Sequence, residues 1–274
     1  LIRGSPTKNI FKKVANYQIT KRQKFILMSF FLSVVLVATQ TVDISMRYQV
    51  MGILAISTIL LSVFALWGEL SGVKYFLLLL LPVYFVMGTT LFYFLLPVRW
   101  LTRLPFALVF GISVYLLMLT SNIYNVAAIR TIGLLRAAHA VGLLFSLVST
   151  FLLSNVLFSL HPPFYIIVLA SVLITFPLYL VALWSFELEE FISQRVLIYA
   201  AVFSLVSAQI ALIMSFWPVT PINGALVLAT ITYVLLGLSQ FEFAEKLKKR
   251  VVYEHVIVAG IVAIIVLLAT HWGG

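Results

Sequence analysis

The stretch FYIIVLASVLITFPLYLVALW, residues 164–184, decides the fold. It runs for roughly 20 residues, the length an α-helix needs to cross about 30 Å of hydrocarbon. A surface helix of that length shows a polar stripe along one face, whereas no charged or amide side chain interrupts this run. Eight further runs of the same kind lie on either side: Phe25 to Val42, Tyr48 to Leu66, Tyr75 to Leu96, Pro105 to Ile123 and Ala137 to Phe158 before it, then Val196 to Trp217, Gly224 to Phe241 and Val251 to Trp272. In hydrocarbon every backbone N–H and C=O must be bonded internally, which leaves helices or a closed barrel, and continuous apolar runs of this length select helices. The expected fold is all-α: a polytopic helical membrane protein with about nine transmembrane helices, its N-terminus cytosolic and its C-terminus external.

Composition agrees. Of the 274 residues 63% are hydrophobic and 9% charged, with mean hydropathy +1.16. A soluble domain carries about 25% charged residues, so lipid is the expected solvent for most of the chain. The net charge of +10 would suggest nucleic acid in a soluble protein. Here the cations flank apolar spans, so they read as topology signals and no nucleic-acid partner is expected. With the N-terminus inside, all 18 Lys and Arg except Arg47, Arg99 and Arg103 fall on the cytosolic side. Trp67, Trp100, Trp184, Trp217 and Trp272 sit at or beside span boundaries, where an amphipathic indole belongs. The third connection, with Arg99 and Arg103 outside, is the weakest point of this layout, and a re-entrant segment there is the alternative.

Residues 1–24 read as a basic cytosolic tail, with Ile10, Phe11, Val14 and Tyr17 on one face of an interfacial helix, and residues 25–274 as a single membrane domain. The first run lacks a small-residue cleavage site and is expected to be retained, and the opening residue, Leu1 rather than Met, places the expected true start upstream. The absence of cysteine excludes disulfides, thiolate nucleophiles and Cys-bound metals. No phosphate-binding loop, HExxH, GxSxG or GxGxxG pattern occurs, so no catalytic residue, metal or cofactor is expected.

Polar residues in or between the spans supply the candidate sites. Within NIYNVAAIRTIGLLRAAHAVG, residues 122–142, Arg130, Arg136 and His139 form a candidate site for an anionic headgroup, through bidentate Arg contacts to phosphate. The simpler reading makes both arginines positive-inside anchors and packs His139 between helices. Gly133, Ala137 or Ala138, Gly142, Ser146 and Ser149 make a small-residue strip that marks a close helix contact. Gln40, Asn155 and Gln209 are candidate cavity-lining residues, Gln209 because it neighbours Ser204, Ser207 and Ala208. Pro82 and Pro177 interrupt their spans, as helices broken around a binding site do, although lone prolines are common in membrane helices. His161-Pro162-Pro163 reads as a turn.

Glu187, Glu189 and Glu190 read as a solvated acidic loop that pairs with Arg130, Arg136 or the basic eighth connection. That connection, EFAEKLKKR, carries Glu242 four before Lys246 and Glu245 four before Lys249, the order expected of a short charged helix that attracts anionic lipids.

These features fit best a non-enzymatic membrane protein that binds or transports a hydrophobic or amphipathic small molecule. The alternatives are an enzyme acting on a lipid phosphate or prenyl phosphate, and a scaffold or assembly subunit that docks partner helices through small-residue strips. Bacterial plasma membrane is the expected location.

Overall fold

The structure is a computed structural model and describes residues 20–39, 46–66, 73–96, 100–128 and 133–270. Among the described residues it is all-helical: α1 (Lys21–Ala38), α2 (Arg47–Ala65), α3 (Val73–Leu95), α4 (Trp100–Ala127), α5 (Leu135–Ser159), α6 (Phe164–Glu187), α7 (Gln194–Phe216), α8 (Pro221–Phe243) and α9 (Lys249–Ala269). Seven of these, α3 to α9, are long and apolar enough to cross a membrane. The apolar part of α2, Gln49–Ala65, is shorter, and α1 carries Lys21, Arg22 and Lys24 in its first turns. The expected interfacial helix lies outside the described residues.

Local chemistry sets the boundaries. Ser193 opens α7 by accepting the Val196 N–H at 3.2 Å, while its own hydroxyl donates to Glu187 Oε2 at 2.6 Å. Thr220 does the same for α8 toward Asn223, and Pro221 fills the first helical position, where no N–H is needed. Two helix ends differ from the expectation. The charged helix read into residues 242–250 does not form, because α8 stops at Phe243. Glu245 takes a left-handed conformation with φ 54°, the Lys246 N–H returns to Phe241 O at 2.8 Å and the Glu245 N–H to Glu242 O at 2.9 Å, the double closure of a Schellman motif. In the same way Leu188, at φ 55°, ends α6 by donating its N–H to Trp184 O.

α5 is the hub, packed on α3, α4, α6 and α8; α6 lies along α7, α1 lies along α4, and α9 rests mainly on α8. Large side chains fill the interior, among them Phe85 stacked on Phe110 and edge-on to Phe145, and Trp184, only 1% exposed. Outward positions such as Phe30, Leu108, Leu169 and Leu268 are exposed and apolar, as surfaces facing hydrocarbon are.

The two mid-span prolines turn out to be bridges. A proline cannot donate to the carbonyl four residues earlier, so Pro82 frees the carbonyl of Leu78 and Pro177 that of Leu173. Both carbonyls are taken by hydroxyls from another helix: Ser121 of α4 donates to Leu78 O at 3.3 Å, and Tyr84 of α3 donates to Leu173 O at 3.0 Å. The bends therefore tie α4 to α3 and α3 to α6. A third tie joins α6, α7 and α8. Thr232 donates its hydroxyl to Leu228 O, so Tyr179 O–H donates to Thr232 at 3.1 Å and accepts from Ser207 at 2.7 Å.

Polar contacts also collect one set of helix ends together. Lys74 at the start of α3 meets Glu190 after α6 at 3.9 Å, His139 near the start of α5 meets Ser185 near the end of α6, and Arg195 at the start of α7 meets Glu242 near the end of α8. The opposite end holds Phe158, Met214, Trp217 and Pro221 around a cavity of about 180 Å³.

Candidate functional site

The span expected to begin at Pro105 begins at Trp100, which moves Arg103 from an external connection into α4. The helix therefore runs through Pro105, which lies in its second turn and leaves the Leu101 carbonyl without its helical donor. From there Arg103, Ala107 and Gly111 recur every four residues on the side of α4 that faces α1. Gly111 faces this approach: a Cβ there would lie 2.6 Å from Ser33 Oγ, so the serine hydroxyl would have to turn away to admit a side chain.

Between the two helices lies a groove of about 770 Å³, within the range of small-molecule pockets. Ile26, Phe30, Val34 and Val37 of α1 and Leu104, Leu108 and Tyr115 of α4 line it. Its two serine hydroxyls are already spent within α1, since Ser33 donates to Ser29 O and Ser29 to Phe25 O, and Tyr115 is the third hydroxyl-bearing residue in an otherwise apolar wall. Arg103 stands at one end, 8% exposed and close enough to Tyr93 to interact electrostatically, while Tyr93 stacks on Phe106 at 5.0 Å. A long apolar trough with one cation at its end matches an amphipathic molecule with an anionic head. A smaller groove of about 430 Å³ lies on the other flank of α1, against α2, where Lys24 Nζ sits 4.7 Å above the Phe64 ring.

The residues singled out from sequence are placed apart from this groove. Arg130 and Gln40 lie outside the described residues. Arg136 is exposed at the first turn of α5. His139, on the same helix, turns inward: its Nε2–H donates to Ser185 O at 2.7 Å, and its ring meets Phe186 edge-on. Ser185 belongs to the last turn of α6, whose carbonyls have no helical donor, so the imidazole closes that helix end. The space beside it, about 10 Å³, has room for a single water at most. Ala138, Gly142, Ser146 and Ser149 are buried together, while Gly133 and Ala137 are exposed. A Cβ on Gly142 would overlap the Tyr124 hydroxyl, which donates to Ala138 O at 2.9 Å.

Asn155 is buried in α5 with its Nδ2 unpartnered, as are Ser149 Oγ, Ser171 Oγ and Thr89 Oγ1. Gln209 is exposed on α7, whereas its neighbours Ser204, Ser207 and Ala208 face inward. The acidic loop divides its carboxylates. Glu187 accepts from Ser193 and Glu190 pairs with Lys74 of α3; among the described residues neither carboxylate meets Arg136 or the eighth connection, and Arg130 lies outside them. Among the described residues no group of His, Asp and Glu is placed to hold a metal ion.

With these positions fixed, the chain can be set beside known families. Residues 138–269 match a family model described as "Protein of unknown function (DUF5656)". Comparison with curated proteins and with solved structures gave no match. The matched region runs from Ala138 in α5 to the end of α9 and includes His139, Tyr179 and Gln209. Arg103 and both grooves beside α1 lie outside it.

Sequence reasoning missed Arg103 as a site residue because it was counted as a loop cation. The signal available was its position three residues after Trp100 and two before Pro105, a pattern equally at home in the first turns of a helix.

Proposed function

We propose that this chain is a multi-pass membrane protein that binds a hydrophobic or amphipathic molecule with an anionic head in the groove between α1 and α4. The observation that carries the reading is Arg103, a buried cation at the end of a laterally open apolar trough. A buried cation in a membrane-crossing helix is costly unless it is paired or serves an ion or a ligand, and an apolar groove leads to this one. The groove spans Ile26 to Ala38 along α1, about 18 Å at 1.5 Å per residue, enough for one lipid tail to reach past the midplane of a bilayer. In this reading α1 and α2 also cross the membrane, giving nine spans. The end that gathers Lys74, Arg136 and Arg195 faces the cytosol of a bacterial cell, and Arg103 faces the outer leaflet.

The test is native mass spectrometry of protein purified in mild detergent and offered an anionic phospholipid. Arg103→Ala is expected to lower the retained lipid at least tenfold, Arg103→Lys to lower it less, and Arg136→Ala to leave it unchanged. Loss with Arg136→Ala and retention with Arg103→Ala would move the site to the headgroup position read around Arg130, Arg136 and His139.

A further inference from the structure

The outward face of α7 carries Ile198, Val202, Leu205, Gln209 and Phe216, with the half-buried Leu212 at its edge, the six spaced alternately four and three residues apart. This is the seam along which two helices pack with knobs in holes. Five of the six are apolar, as a lipid-facing or helix-facing stripe should be. The sixth is a primary amide, exposed and without a hydrogen-bond partner among the described residues. Gln209 lies seven residues before the end of α7, about 10 Å along the axis, so its amide sits within the hydrocarbon and not at the headgroups. Bare in lipid, two donors and an acceptor would be left unbonded, a cost of several kcal/mol.

We propose that this stripe is a self-complementary interface at which a second copy of the chain packs, α7 against α7, with the two Gln209 amides bonded to each other across a twofold axis. The choice of occupant follows from the electrostatics of the amide. Its N–H end is positive and its oxygen negative, so a symmetry mate turned about a twofold presents each with its complement, and no second polar residue elsewhere on the seam is required. The apolar residues at four-and-three spacing continue for three turns on one side of Gln209 and two on the other, which places the polar pair well inside the contact. A single amide at such a position fixes register and partner number in paired helices. The inward strip of α7, Ser204, Ser207 and Ala211, is already used against α6 and α8, so the proposed contact leaves the bundle intact.

Because the chain has no cysteine, single substitutions report directly. Leu205→Cys and Leu212→Cys, oxidised in native membranes, are expected to give a covalent dimer of the chain. Ile257→Cys on the exposed face of α9 should give only the collisional background. Adding Gln209→Leu keeps α7 apolar and inserted, and is expected to reduce the association constant by about three- to fifteen-fold, with Gln209→Asn restoring part of it. Equal cross-linking at Leu205→Cys and Ile257→Cys, adducts with another protein in place of the dimer, or a dimer yield indifferent to Gln209→Leu would each overturn the proposal.

Discussion

The two halves of the molecule are held in different ways. From α5 to α9 the helices are fastened by side chains that reach a neighbour's backbone or hydroxyl: His139 on Ser185, the Tyr179 node, and His255 tucked over Gly237 and stacked on Tyr233 at 4.8 Å. From α1 to α4 the outer helix is held chiefly by apolar contact around Gly111 and has a groove on each flank. In lipid, apolar contact with a helix and with a tail are nearly equivalent, so polar ties and close fit decide which surfaces stay shut. The tied helices, α3 and α4 among them through Tyr84, Ser121 and Tyr124, are the scaffold, and α1, held chiefly by apolar contact, is the helix whose face the proposed lipid-like ligand would compete for.

The largest effect is expected at Trp184. It is buried in the tied half, and its Nε1–H donates to Glu189 O at 3.0 Å. Trp184→Ala is expected to cost about 3–5 kcal/mol in a reversible unfolding measurement in bicelles, against a few tenths for Phe30→Ala on the exposed face of α1. Equal losses would mean that the halves are not distinct.

A smaller effect tests the proline bridge. Tyr84→Phe strands the Leu173 carbonyl and is expected to cost about 1–2 kcal/mol. In a Pro177→Ala background, where an N–H is restored four residues on, the same change should cost clearly less. Additivity of the two substitutions would show that the hydroxyl and the proline act separately.

The smallest effect concerns Arg195, which pairs with Glu242 at 3.2 Å and lies 4.2 Å from the Phe243 ring, while Tyr199 donates to the same carboxylate at 2.6 Å. The pair is well exposed, so Glu242→Gln is expected to cost about 0.5 kcal/mol and to lose even that at high salt. A loss above about 2 kcal/mol would make this helix-end cluster part of the scaffold.

The long helices were legible because hydrocarbon demands so much of a sequence: runs such as 164–184 admit no other structure. The places where helices stop were less so. Leu188 and Glu245 end α6 and α8 in left-handed conformations that sequence reading assigns to glycine, and the charge spacing after Glu242 pointed to more helix. Gln209 was read as facing a cavity because Ser204, Ser207 and Ala208 stand beside it in sequence. A helix turns 100° per residue, and the neighbours that share its face are Leu205 and Leu212. Arg103 was legible as a cation but not as a buried one, since burial depends on where α1 lies.

The hydroxyls on the two proline carbonyls also bear on the order in which the chain is made. Ser121 follows Pro82 in the sequence, so α3 emerges with the Leu78 carbonyl bare and needs α4 to complete it. Tyr84 precedes Pro177, so when α6 emerges the donor for Leu173 is already in place. Released from the ribosome one helix at a time, α3 and α4 have reason to leave the insertion machinery as a pair, whereas α6 can partition alone and be received by a partner that is waiting for it.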